Sequence, residues 1–171
     1  MNDSEQGQNR FMARAIQLSL DNVLSGRGGP FGAVIVQKGA IISEGVNVVT
    51  AENDPTAHAE VNAIREACAK LRVFRLSDCE IYTSCEPCPM CLGAIYWARL
   101  ARIYFANLAS DASRIGFDDS FIYRELAQPV SHRSISMIPM MRDQALTAFR
   151  AWEEKKPYLV SRWRWPDRFN P

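Results

Sequence analysis

A chain of 171 residues, 47% of them hydrophobic, is long enough to bury the core of one compact domain. Its formal net charge of +1 lacks the basic excess that binding to long nucleic acids requires. No run approaches the roughly eighteen apolar residues of a membrane span, and the polar residues 1–10 do not form a signal peptide. We therefore expect a cytoplasmic protein whose five cysteines stay reduced.

The first half of the chain alternates between helical and strand-like patterns. Apolar residues recur at helical spacing over residues 9–25, and glycines end this predicted helix. The elements predicted next are strands at 31–36 and 41–47, a helix capped within 53–56, a strand at 80–84, a helix starting near Pro87 and a strand at 102–106.

The second half adds fewer regular elements. Residues 111–127 are predicted as loop with short helices, 135–141 as a last strand containing Pro139, and 144–155 as a helix. Strands alternating with helices predict an α/β protein, with one mixed sheet covered on both faces in three α/β/α layers.

Two short motifs carry the chemistry. They are Pro55–Glu60, with the sequence PTAHAE, and Pro87–Cys91, with the sequence PCPMC. His58, Cys88 and Cys91 are zinc-ligand types, and the two cysteines are spaced to share one face of a helix. Three protein ligands leave one tetrahedral position open for water, as in a catalytic zinc site. His-x-Glu with Pro-Cys-x-x-Cys is also the general pattern of zinc-dependent base deaminases.

Glu60 stands two residues after the predicted histidine ligand. We expect this carboxylate to lie beside the zinc and to move protons from the attacking water to a ring nitrogen and the departing amine. The pattern therefore predicts hydrolytic deamination. A structural zinc site with Cys85 or His132 as fourth ligand is the alternative, and a disulfide between Cys88 and Cys91 is a further one.

Four longer blocks of the sequence are distinctive: Gly29–Val36 (GPFGAVIV), Asp54–Glu60 (DPTAHAE), Tyr82–Trp97 (YTSCEPCPMCLGAIYW) and Gly116–Tyr123 (GFDDSFIY). Together they resemble the bacterial guanine deaminases, which have the cytidine deaminase-like fold. The resemblance extends over roughly residues 9–157, and the last block together with Ala94–Trp97 is what indicates guanine rather than another base.

The resemblance implies a five-stranded mixed sheet, one zinc ion per chain and conversion of guanine to xanthine and ammonia. It implies that Phe31 stacks on the purine and Asn47 hydrogen-bonds to it, while Trp97 lines the pocket. Asp119 would contact the amine and assist proton transfer. From the residues alone, each of these four has an ordinary structural explanation: core packing for the aromatic rings, a turn cap for Asn47 and a solvated loop for Asp119.

The resemblance also implies a homodimer in which C-terminal segments are exchanged to close each other's active sites. We place the deaminase domain at residues 1–157 and a C-terminal extension at 158–171. Tyr158 is the candidate for the residue that reaches the partner's pocket. The extension carries interleaved arginine and tryptophan, which could bind single-stranded nucleic acid, but packing on the protein body or the dimer partner fits the neutral charge better.

The sequence motifs are also compatible with other functions. Within the same chemistry, the substrate could be guanosine or another amino-substituted heterocycle such as an amino-triazine. The tRNA adenosine deaminases share the two motifs, but they need a basic face for a stem-loop. A non-enzymatic zinc-binding module would require saturated metal coordination and no role for Glu60.

Overall fold

The computed structural model describes the backbone of residues 3–155 and the side chains of residues 8–154. The chain divides into two compact units, Met1–Ala127 and Gln128–Pro171. The first unit contains, in chain order, α1 (Asp3–Leu24), β1 (Gly32–Gln37), β2 (Ala40–Val46), α2 (Val49–Glu52), α3 (Ala59–Leu71), β3 (Cys79–Cys85), α4 (Pro89–Ala98), β4 (Arg102–Asn107), α5 (Ala109–Arg114) and α6 (Ser120–Ala127). The second contains a 3₁₀ turn (Val130–His132) and α7 (Arg142–Lys155).

The strands of the first unit form one mixed sheet in the order β2-β1-β3-β4. Strand β1 pairs antiparallel with both β2 and β3, whereas β3 and β4 run parallel. The predicted hairpin between β1 and β2 is present, with Lys38 and Gly39 at positive φ in its turn. Connecting parallel β3 and β4 requires a crossover, and α4 supplies it.

Both faces of the sheet are covered. Ala33 and Ile35 of β1 pack in the core cluster that α3 and α4 complete, while Val34 and Val36 pack on the opposite face against Phe11 of α1. A strand buried on both faces typically has a continuous run of apolar residues, and β1 has such a run. This arrangement confirms the predicted three-layer α/β/α fold.

Helix α1 is amphipathic and lies along one face of the sheet. It buries Phe11 and Ala15, and near its end it also buries the polar side chain of Asn22. No helix in the described part of the chain is long and apolar enough to cross a membrane.

The prediction of five strands is wrong, because the sheet has four strands within the described residues. Residues 135–141 form neither a strand nor a helix and belong to the second unit. Pro139 has no N–H to donate to a strand neighbour and restricts the residue before it. The apolar side chains of this segment are exposed rather than packed on a sheet face, with Ile138 and Met140 76% and 77% exposed.

The start of α3 also differs from the predicted cap within residues 53–56. The side chain of Asp54 accepts hydrogen bonds from the backbone N–H and the hydroxyl of Thr56, so it closes a local turn. Helix α3 begins only at Ala59, and His58 is its N-cap. Similarly, α4 begins at Pro89, with Cys88 as its N-cap. His58 and Cys88 therefore each lie at the N-terminal end of a helix.

Candidate active site

Two helix N-termini bring three metal-ligating side chains together. His58 and Cys88 are the N-cap residues of α3 and α4, both with extended backbone, and Cys91 lies in the first turn of α4. Nδ1 of His58 lies 3.6 Å from Sγ of Cys88 and 3.4 Å from Sγ of Cys91. All three donor atoms lie within 4.8 Å of one another. The structure therefore assembles the three residues that the sequence motifs single out.

The donor set fits a tetrahedral zinc ion. Ideal Zn–S and Zn–N bonds at tetrahedral angles place a sulfur and a nitrogen ligand about 3.6 Å apart, close to the two separations observed here. Cys85, the alternative fourth ligand within this unit, is not part of the donor group; its Sγ lies 3.8 Å from the carbonyl oxygen of Leu108. His132 belongs to the second unit. Among the described residues, the group is a three-ligand set of the type found in catalytic zinc sites.

The electrostatics of the cluster favour a ligating sulfur. Hydrogen bonding from Cys91, followed by that from His58, lowers the pKa of Cys88 to about 4. The same contact with Cys88 raises the pKa of Cys91 and raises that of His58. Cys88 is consequently a thiolate at neutral pH, which is the form that binds a metal.

Glu60 lies beside this cluster, in the first turn of α3, and only 5% of it is exposed. Its Oε1 accepts a hydrogen bond of 3.2 Å from the hydroxyl of Thr83, and its Oε2 lies 3.4 Å from Sγ of Cys91. Burial raises the pKa of the Glu60 carboxyl. A carboxylate with a raised pKa is a stronger proton acceptor, which suits a catalytic base.

A cavity of about 520 Å³ opens over His58 and Glu60. Its volume is in the range of pockets that bind small molecules. Phe31 and Phe117 form an aromatic wall, with ring centroids 4.9 Å apart in an edge-to-face arrangement. Asp118, Asp119 and the exposed Glu86 also line the cavity. The cavity thus combines an aromatic wall with carboxylates near the metal ligands.

Asn47 is a nearly buried residue of the cavity lining. The residue is 6% exposed, and its Oδ1 accepts a hydrogen bond from the backbone N–H of Val49. That contact fixes which end of the amide is oxygen. The opposite end of the amide is therefore the Nδ2 donor group.

Asp119 is half-buried at the start of α6 and lines the same cavity. Burial raises the pKa of its carboxyl, and the nearby charge of Cys88 raises it further. Asp119 therefore shares the electrostatic field of the ligand cluster, although the two lie far apart in the sequence.

The structure does not bring one predicted contact residue to the cavity, and it does not describe another. Trp97 lies on α4 with 59% of its surface exposed, and it is not among the residues that line the cavity. Tyr158 lies outside the described residues. Their predicted roles remain predictions.

Two other residues at the site were not singled out from the sequence. Phe117 lies two positions before Asp119, and Thr83 lies in the block of residues 82–97. An aromatic residue inside a glycine-initiated loop was the available signal for Phe117. Thr83 gave none, because a threonine in a strand is ordinary for β structure.

The sequence of the chain is similar to those of known deaminases with a zinc-binding region. Residues 5–107, more than half of the chain, match the model of the cytidine and deoxycytidylate deaminase zinc-binding region. The guanine deaminase of Bacillus subtilis (strain 168) is 54% identical over 151 residues, covering 86% of this chain and 97% of that protein. The tRNA-specific adenosine deaminase of Aquifex aeolicus is 47% identical over only 79 residues, which cover 46% of this chain and 52% of that protein.

The solved structures agree as well. The X-ray structure of guanine deaminase from Bacillus subtilis superposes with a TM-score of 0.83 and 52% sequence identity, covering 90% of this chain and 95% of that one. The fold and the ligand set thus define the class: a zinc-dependent deaminase of the cytidine deaminase-like fold. Within that class, the chain belongs to the guanine deaminase family and is an aminohydrolase with zinc as its cofactor.

Proposed function

We propose that this enzyme hydrolyses guanine at C2, so that guanine and water give xanthine and ammonia. The observation that carries the proposal is the position of the buried Glu60 carboxyl beside the His58, Cys88 and Cys91 donor atoms at one end of an aromatic cavity. These three residues would hold the zinc ion. When bound, zinc acts as a Lewis acid that brings the pKa of water close to neutrality.

In this proposal Glu60 holds the proton at each stage. Its carboxylate takes a proton from the attacking water, transfers it to a ring nitrogen and helps to protonate the departing amine. Burial raises the pKa of Glu60, which makes its carboxylate a stronger proton acceptor than an exposed one. Glu60 is therefore assigned as the general acid and base.

The walls of the cavity supply the proposed substrate contacts. The ring of Phe31 would stack on the purine, while Phe117 supports Phe31 from its edge. Because Oδ1 of Asn47 is occupied by Val49, Asn47 would donate from Nδ2 to an acceptor on the base. Asp119 would contact the amine and assist proton transfer. Trp97 and Tyr158 are retained as proposed pocket residues on the family resemblance alone.

Guanosine is the second candidate substrate, because the cavity of about 520 Å³ is larger than a planar base requires. A ribose would have to occupy the remaining space. The two alternatives differ only at the glycosidic nitrogen, so the same zinc and Glu60 chemistry would serve both.

The assembly that we propose is a homodimer in which C-terminal segments are exchanged. Its support is the set of exposed large apolar side chains in the second unit: Ile135, Met137, Ile138, Met140, Met141 and Phe149. Such surfaces are normally covered by a partner.

We also assign the enzyme to the cytoplasm, since the five free cysteines, two of them in the metal-ligand group, suit a reducing compartment.

A substrate panel tests the assignment. Zinc-loaded enzyme is incubated with guanine, guanosine, adenine and cytosine, and ammonia release is measured for each. We expect turnover of guanine at least about a hundredfold faster than that of the other three. Faster turnover of guanosine would move the assignment to the nucleoside. Tight binding to a tRNA stem-loop with adenosine turnover would place the chain functionally with the tRNA deaminases.

A further inference from the structure

A buried hydroxyl lies behind the Glu60 carboxyl. Thr83 is in the middle of β3, where it pairs with Ala33 of β1 on one side and with Phe105 of β4 on the other. Only 1% of the residue is exposed. Backbone pairing on both sides and a β-branched side chain leave Thr83 little conformational freedom.

The hydroxyl of Thr83 makes the two oxygens of Glu60 different from each other. Oγ1 of Thr83 donates to Oε1 at 3.2 Å, whereas Oε2 lies on the side of the metal-ligand group, 3.4 Å from Sγ of Cys91. A glutamate side chain has three rotatable bonds, and here its carboxylate is anchored at one oxygen by a group on the rigid sheet.

We propose that Thr83 is a positioning residue for catalysis: its hydroxyl holds Oε1 so that Oε2 faces the reacting atoms. The inference rests on the proposed role of Glu60 as the proton carrier. Proton transfer requires a heavy-atom separation of about 2.6–3.2 Å in the reacting complex. Loss of the anchor would therefore slow the chemical step without changing the walls that bind the base.

The ordinary explanation is that Thr83 only satisfies a buried polar pair in the core. Under that explanation its removal lowers stability and leaves the turnover of folded enzyme unchanged. The two explanations differ in kcat, which makes them separable by kinetics on folded protein.

The experiment compares Thr83→Val, Thr83→Ser and a control, Ser43→Ala, in the full-length zinc-loaded chain. Valine keeps the shape of threonine but has no hydroxyl, and serine keeps the hydroxyl. Ser43 is also 1% exposed, and its hydroxyl donates to the carbonyl of Ala63 in α3 at 2.7 Å, so its loss weakens the same helix without touching Glu60.

For Thr83→Val we expect kcat to fall about tenfold or more while KM changes less than about twofold and zinc content is unchanged. Thr83→Ser should recover most of the wild-type kcat, and Ser43→Ala should keep it despite lower stability. An unchanged kcat in Thr83→Val, or an equal fall in Ser43→Ala, would overturn the proposal.

A crystal structure of Thr83→Val gives a readout that does not depend on activity. We expect the Glu60 carboxylate to leave its wild-type orientation, and a carboxylate found in its original place would overturn the proposal. If wild-type enzyme released ammonia only from another amino-heterocycle, the guanine assignment would fail. The same variants assayed on that compound would still test Thr83.

Discussion

At the scale of single residues, the site depends on how three donor atoms are spaced. The 3.4 and 3.6 Å separations between the His58 nitrogen and the two sulfurs are those of ligands around one small ion. Cys88 contributes a thiolate, because contacts with Cys91 and His58 lower its pKa to about 4. The geometry of the ligand group therefore suits a divalent metal, and Cys88 supplies a negative charge for it.

Replacing one ligand should remove the metal. We expect Cys91→Ala to retain less than roughly 0.1 zinc per chain and to unfold at a lower temperature, because zinc binding stabilises the folded state. Atomic absorption on the purified protein and thermal unfolding measure the two effects.

Cys85→Ala is the matched control, since Cys85 is also a buried cysteine of this region but lies outside the donor group. It should keep one zinc per chain. Zinc that stayed stoichiometric in Cys91→Ala would contradict the ligand assignment, and zinc lost from Cys85→Ala would support a closed structural site instead.

The residues of the site differ in how far sequence could predict them. His58, Glu60, Cys88 and Cys91 lie in two short motifs whose spacing alone indicates zinc chemistry, and the structure places them together. The contact between Thr83 and Glu60 joins a strand to a helix, 23 positions apart. No local pattern encodes such a pairing, because it depends on how the helix lies on the sheet.

At the scale of elements, the site is built from the entrances of α3 and α4. Both helices cover the same face of the sheet, and each has a metal ligand as its N-cap, His58 for α3 and Cys88 for α4. Helix N-termini favour negative charge, which suits a thiolate and a nearby carboxylate. The positions of the ligands thus follow from how closely these helices pack on the strands.

Gly45 of β2 allows α3 to approach the sheet. A Cβ atom at Gly45 would overlap the carbonyl oxygen of Ala59 and come within 2.6 Å of the backbone nitrogen of Ala63. These are backbone atoms of a helix that packs on the sheet, and they cannot move aside independently. We expect Gly45→Ala to lower the free energy of unfolding by at least about 2 kcal/mol, as measured by urea denaturation.

Gly93→Ala in α4 serves as the control, because a Cβ atom there meets nothing within 4 Å. Alanine is the better helix former, so this change should be neutral or stabilise by up to about 1 kcal/mol. Equal stability of Gly45→Ala and wild type would show that α3 has room to shift.

Periodicity predicted β1, β3 and α3 well, because their apolar residues are buried against the sheet. In α1 only part of the predicted apolar stripe is buried: Phe11 and Ala15 pack on the sheet, whereas Ile16, Val23 and Leu24 are exposed. The segment 135–141, which was wrongly predicted as a strand, is also rich in apolar residues. Its apolar side chains are exposed, however, and Pro139 has no N–H to donate to a neighbouring strand. An apolar run indicates burial only if something in the same chain or a partner covers it.

At the scale of the whole molecule, exposed apolar surface in the second unit predicts a dimer. Sedimentation equilibrium should give twice the chain mass of 19.3 kDa. Ile138→Asp should shift the enzyme towards monomer, because it places a charge in a surface that we expect to be buried between subunits. Gln144→Asp, which adds the same charge at an exposed polar position, should remain dimeric. A monomeric wild type would contradict the proposed assembly.

We propose that this zinc-dependent enzyme deaminates guanine and that Glu60 carries the proton. The most direct measurement follows the ultraviolet spectrum of guanine becoming xanthine, with ammonia assayed in parallel, for the wild type and for Glu60→Gln. We predict turnover by the wild type and a loss of at least about a hundredfold in Glu60→Gln, with zinc and folding retained. Full activity in Glu60→Gln would contradict the role of Glu60, and a zinc-loaded wild type that leaves guanine unchanged would contradict guanine as the substrate.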